Sequence, residues 1–123
     1  MKARSLADSF RYASRGLIYS LVSQRNMKIH ILMALLVLAA GFYFRISHLE
    51  WLILLLAIAL VMTAEIINTS IECAVDLVTR EREPLARKAK DTAAGAVLLA
   101  ASFSIIMGLI VFLPRIINLF AAS

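Results

Sequence analysis

Three long apolar stretches constrain this chain more than any other feature. They run from about Ile29 to Phe44, from about Trp51 to Val78 and from about Ala93 to Leu113. The last contains no charged residue, and the first has His30 as its only ionisable residue besides tyrosine. A helix needs roughly 20 apolar residues to cross about 30 Å of hydrocarbon. Backbone groups in lipid must be satisfied within the segment, so such stretches are expected to be helices. Extended by a few residues at the start of the first, they predict spans over 27–44, 51–78 and 93–113. Composition agrees: 62% of the 123 residues are hydrophobic and 17% are charged, against about 45–50% and about 25% in ordinary soluble domains. This excludes a disordered chain and a soluble repeat array. It also argues against nucleic acid as a partner, although the formal charge is +5. A single cysteine, Cys73, allows no internal disulfide and no cysteine zinc site.

Lys and Arg are distributed unevenly. Residues 1–28 carry six and 79–92 carry five, whereas 45–50 and the tail after the third stretch carry one each, Arg45 and Arg115. This predicts a cytoplasmic N-terminus, a cytoplasmic 79–92 loop and a C-terminus on the other side. Trp51 and Tyr43 suit interfacial anchors. Residues 1–24 place Leu6, Phe10, Ala13, Leu17 and Leu21 at helical spacing on one face, with Asp8, Arg11 and Arg15 on another. That pattern fits an amphipathic helix in the membrane interface or a helix packed on the bundle. Ala96, Ala100, Ser104 and Gly108 form a small-residue ladder that permits close helix approach, within one chain or between copies.

The second stretch carries a polar stripe. Glu65, Asn68, Thr69, Glu72 and Asp76 lie at i, i+3, i+4, i+7 and i+11, within roughly a third of a helix circumference. Glu65 falls about 21 Å along the helix from Trp51, and Glu72 about 10 Å further. A carboxylate inside a membrane costs at least about 2.5–3.5 kcal/mol. The stripe therefore needs a use: a structural seam, an ion path, or a cation site. Carboxylates one or two turns apart suit Mg²⁺, which usually binds one or two of them plus substrate phosphates. The adjoining segment 79–92 mixes acids and bases, and Lys90-Asp91 stand where the third span begins. Asp91 also suits a helix N-cap. No Walker-type or Gly-x-Gly-x-x-Gly loop is present.

Glu65-x-x-Asn68-Thr69-x-x-Glu72-x-x-x-Asp76, followed by Ala89-Lys90-Asp91-x-Ala93-Ala94-x-Ala96-Val97-Leu98, resembles the small prokaryotic diacylglycerol kinase family. Gly16-Leu17 and Asn26 through His30 extend the likeness. Ile29-His30, Glu50-Trp51 and Phe112-Leu113-Pro114 resemble its undecaprenol kinase branch.

The resemblance implies an all-α membrane protein: a surface helix plus three transmembrane helices, assembled as a homotrimer in the bacterial inner membrane. It implies transfer of the γ-phosphoryl of ATP, with Mg²⁺, to the hydroxyl of a membrane lipid, undecaprenol first and diacylglycerol as the alternative. Glu65 resembles the catalytic base and Asn68 the residue that orients the site. Glu72 resembles a metal ligand. Tyr12, Glu72, Glu81, Glu83, Lys90 and Asp91 correspond to ATP-binding positions. Glu65, Arg15 and Trp51 are candidate contacts for the lipid substrate.

One position departs. The family usually has Glu-Arg-Asn or a near variant before its first span, and that Glu is a metal ligand; here Gln24-Arg25-Asn26 stands in its place. A neutral carboxamide at Gln24 predicts weaker Mg²⁺ binding. If Gln24 abolishes activity, the chain reads instead as a non-catalytic oligomeric membrane module.

Overall fold

The computed structural model describes residue 2 and residues 4–122. Positions 1 and 3, at the start of the expected 1–24 surface segment, lie outside the described residues. Four helices follow one another: α1 Leu6–Ser23, α2 Arg25–Phe44, α3 His48–Val78 and α4 Pro84–Ala121. The last three are long and apolar enough to cross a membrane. At 1.5 Å per residue, α3 is about 46 Å long and α4 about 57 Å, so both exceed the apolar layer of about 30 Å.

Local chemistry sets the helix ends. Ser5 caps α1, its Oγ accepting from the Asp8 N–H at 3.2 Å. Gln24 is the extended corner between α1 and α2, with its own N–H donating to the Ser20 carbonyl. α2 closes in a Schellman turn: Arg45 is left-handed (φ 49°), and the Ile46 N–H reaches back to the Gly41 carbonyl at 3.3 Å. Two residues later Ser47 and Glu50 form a reciprocal capping box that opens α3. The expected 45–50 link therefore has only residues 45–47 outside a helix.

Two expected boundaries are corrected. The 79–92 segment is a loop only over residues 79–83, because α4 begins at Pro84. Proline at the first helical position has φ preset, and its missing N–H is one that would go unbonded anyway. Glu83, not Asp91, is the N-cap residue of α4. Likewise α4 runs past Leu113, through Pro114, to Ala121. The charges in 87–91 and the proline end the apolar run without ending the helix. Proline removes one backbone donor, while the Arg115 guanidinium donates to the Val111 carbonyl one turn back at 2.7 Å.

α3 and α4 form the principal packed pair. Ala93, Val97, Ala100 and Val111 of α4 are buried, as are Leu54, Ala57 and Val61 of α3. Of the small-residue ladder, Ala100 is buried and Ser104 donates to the Ala57 carbonyl of α3 at 3.2 Å. Part of the ladder thus serves packing within the chain, while Ala96 is exposed.

A hydrophobic cluster of Ile46, Leu54, Val111 and Phe112, flanked by Val37, Phe44 and Trp51, closes the end of the bundle at the α2–α3 turn. The Trp51 ring lies directly over Gly41, where a Cβ would come within 2.6 Å of it. On α1, Leu6, Phe10, Leu17, Ile18 and Val22 are exposed, whereas Ser20 is buried. These five therefore face away from the rest of the chain, while Leu21 is half-buried.

Candidate functional site

The polar stripe of α3 lies at the end of the bundle opposite the Trp51 cluster. Its helical spacing turns Glu65, Asn68 and Thr69 inward, and all three are buried. Glu65 is 1% exposed. Asn68 donates its Nδ2 to Glu72 Oε1 at 3.2 Å. Thr69 donates its hydroxyl to the Glu65 carbonyl at 2.9 Å. Its Oγ1 lies 3.3 Å from Ser20 Oγ. Since the Thr69 proton is already engaged, Ser20 is the donor, and this bond pins α1 to the stripe.

Three buried polar atoms have no hydrogen-bond partner among the described residues: both carboxylate oxygens of Glu65 and Oδ1 of Asn68. Unpaired buried polar groups cost free energy and are rare without a purpose. They face a cavity of about 270 Å³ lined by Asn26, His30, Glu65 and Asn68, with Val97 and Ala101 of α4 among its apolar walls. A larger apolar cavity, about 490 Å³, continues from it between α2, α3 and α4 down to Phe112; Ile29, His30 and Ala101 line both.

His30 stands opposite Glu65, with Nε2 3.7 Å from Oε2. The sequence signal for it was its position as the sole ionisable residue, tyrosine aside, of the first apolar stretch. Ser20 had no comparable signal, since it sits among polar and apolar residues alike.

The other candidate residues are distributed as follows. Lys90 Nζ donates to Asp76 Oδ1 at 2.6 Å, tying the end of α3 to the start of α4. Asp91 pairs with Arg87 at 3.3 Å one turn earlier on α4. Glu81 and Glu83 are exposed on the 79–83 link. Tyr12 is half-buried on α1, with the Arg11 guanidinium 5.5 Å from its ring centre. Arg15 is exposed on the same helix. Gln24 is half-buried at the α1–α2 corner, and its side chain makes no capping bond. Trp51 is not brought to the site: it lies 14 residues along α3 from Glu65, about 21 Å.

The donors fit a hard cation only in part. Glu72 and the unpartnered Asn68 Oδ1 supply oxygen atoms of the type Mg²⁺ prefers. Among the described residues, no three His, Cys, Asp or Glu side chains converge on one point. The set suits a metal that arrives with phosphates, not one held wholly by this chain.

Comparison with known proteins identifies the chemistry. The prokaryotic diacylglycerol kinase family pattern matches residues 11–112. The chain belongs to that family. It is a membrane lipid kinase that uses ATP. Among its relatives, an undecaprenol kinase of Bacillus subtilis is 44% identical over 108 residues, covering 88% of each chain. A diacylglycerol kinase of Synechocystis is 41% identical over 118 residues, covering 95% of this chain and 67% of its own. A diacylglycerol kinase of Helicobacter pylori is 36% identical over 105 residues, covering 83% of this chain and 82% of its own. The buried carboxylate and the cavities beside it thus belong to a kinase whose acceptor lies in the membrane.

Proposed function

We propose that this chain phosphorylates undecaprenol with ATP at the cytoplasmic face of the bacterial inner membrane. The observation that carries the choice of lipid is the 44% identity to the Bacillus subtilis enzyme along most of both chains. Diacylglycerol is the alternative acceptor, since the Synechocystis relative is named for it.

Glu65 is the general base. Its unpartnered oxygens take the proton of the lipid hydroxyl. The hydroxyl oxygen then bonds to the γ-phosphorus, the bond from that phosphorus to the bridging oxygen breaks, and ADP leaves. Such a transfer depends on positioning and charge neutralisation. Asn68 orients the carboxylate of Glu72 through their 3.2 Å bond. Glu72, with Gln24 as a weaker neutral ligand, would hold Mg²⁺. When bound, that ion neutralises phosphate charge. Tyr12, Glu81, Glu83, Lys90 and Asp91 contact the nucleotide together with Glu72. For Lys90 and Asp91 this requires exchange of their present partners, Asp76 and Arg87. Arg15 meets the lipid headgroup region from α1, whose exposed apolar residues lie in the membrane interface.

The working unit is a homotrimer. Support comes from the family to which the chain belongs, and among the described residues no three metal-binding side chains converge on one point. The Lys and Arg distribution supports a cytoplasmic N-terminus and a C-terminus outside.

The test is transfer of labelled γ-phosphate from Mg-ATP in mixed micelles, with undecaprenol and diacylglycerol offered separately. Undecaprenol is expected to be the better acceptor. Preference for diacylglycerol would overturn the choice of lipid and leave the kinase assignment standing.

A further inference from the structure

We propose that His30 is a positioning residue for Glu65: its Nε2–H holds Oε2 and leaves Oε1 free for the lipid hydroxyl. This rests on the reading of Glu65 as the base.

Glu65 is buried, with no hydrogen-bond donor to either carboxylate oxygen among the described residues. A buried carboxylate that is not held can point several ways, and orientation governs how often it meets a substrate proton correctly. The polar side chains lining its cavity are Asn26, His30 and Asn68. Asn68 already donates to Glu72. The α4 wall, Ala94, Val97, Leu98 and Ala101, has no polar side chain. Neither Asn26 nor the second N–H of Asn68 reaches Glu65, and His30 Nε2 stands 3.7 Å from Oε2. That separation is slightly longer than a hydrogen bond. Catalytic hydrogen bonds are commonly long before substrate binds and tighten in the complex.

The location of His30 supports the same role. It lines both the polar cavity and the apolar one that runs on toward Phe112. A lipid tail lying in the apolar cavity would bring its hydroxyl end past His30 to Glu65. The imidazole therefore stands where substrate binding can close the gap of 3.7 Å.

The test compares His30→Ala with His30→Gln in the full-length protein, using kcat and KM for both substrates. Glutamine carries an amide nitrogen at nearly the same reach as imidazole Nε2. His30→Ala is expected to lower kcat roughly ten- to hundredfold, with both KM values nearly unchanged. His30→Gln is expected to recover most of that loss. An unchanged kcat in His30→Ala overturns the proposal. So does a rise in lipid KM at constant kcat, which would make His30 only a wall of the lipid groove. Failure of the glutamine variant to recover activity, in a protein that melts normally, overturns it too. If His30→Ala does not fold, the glutamine variant alone decides: near-normal kcat supports the role and a loss as deep as that of Glu65→Gln opposes it. Glu65→Gln separates the two claims. Near-normal turnover there removes the base reading itself, whereas a dead Glu65→Gln beside a fully active His30→Ala removes only the role of His30.

Discussion

The two ends of α3 contrast in how completely they are satisfied. At the Trp51 end, Glu50 accepts two hydrogen bonds from Arg115, at 2.6 and 2.8 Å, and one from the Ser47 N–H. Apolar side chains fill the space around it, and the Trp51 ring covers Gly41. At the Glu65 end, a more deeply buried carboxylate has no hydrogen bond among the described residues, and a cavity of about 270 Å³ opens beside it. Both ends hold a glutamate on the same helix. One glutamate is locked into the architecture, and the other has no hydrogen-bond partner among the described residues.

The largest effect expected at the open end is that of Glu65→Gln. It should lower kcat by roughly a hundred- to ten-thousandfold, the usual range for loss of a general base. Stability should hold or rise, since a neutral amide replaces an unpaired buried carboxylate. Phosphate transfer and a melting curve on the same preparation check both halves. A strong fall in melting temperature would mean that Glu65 is as structural as Glu50. The next effect is that of Gln24→Glu. A negative charge at the α1–α2 corner should lower the Mg²⁺ concentration for half-maximal rate by roughly tenfold, because ligand charge tunes divalent-cation affinity. A Mg²⁺ titration of both proteins reads it. An unchanged requirement would take Gln24 out of the metal site.

How legible each end was in the sequence follows from what each pattern encodes. The apolar runs and the stripe from Glu65 to Asp76 depend only on helical periodicity, so three long apolar helices and the grouping of Glu65, Asn68 and Thr69 on one face could be read directly. The extent of α4 could not. Hydropathy reports the environment of a residue and not its backbone, so Arg87, Lys88, Lys90 and Asp91 looked like loop while lying on a helix. Pairings between helices were also hidden. His30 opposite Glu65, Ser20 on Thr69 and Lys90 on Asp76 depend on the relative register of helices. Spacing within one helix says nothing about that. Trp51 read as a membrane anchor, and its seat on Gly41 emerges only once the Schellman turn at Arg45 folds α2 back beside α3.

The closed end should respond in stability and not in rate. Gly41→Leu puts a side chain where the Trp51 ring already lies within 2.6 Å of a would-be Cβ. Overpacking of this kind costs about 1–3 kcal/mol, and the ring must leave the cluster it shares with Ile46 and Leu54. Denaturation in detergent should show the loss, while kcat per folded molecule should stay within about twofold, because the site is about 21 Å away along α3.

The smallest effect isolates the ion pair. Glu50→Gln removes the charge opposite Arg115, yet glutamine still completes the capping box with Ser47, since either residue serves at that position. The helix start is therefore preserved, and only the charge-assisted part of the two bonds from Arg115 is lost. The melting temperature should fall by a few degrees, with kcat and both KM values unchanged. The gap from the parent should narrow in high salt, because both side chains keep some solvent contact, 31% for Arg115 and 24% for Glu50. A fall in kcat without a fall in stability would mean that the ends communicate through α3 and α4. The contrast between a closed end and an open one would then describe packing alone and not a division of labour.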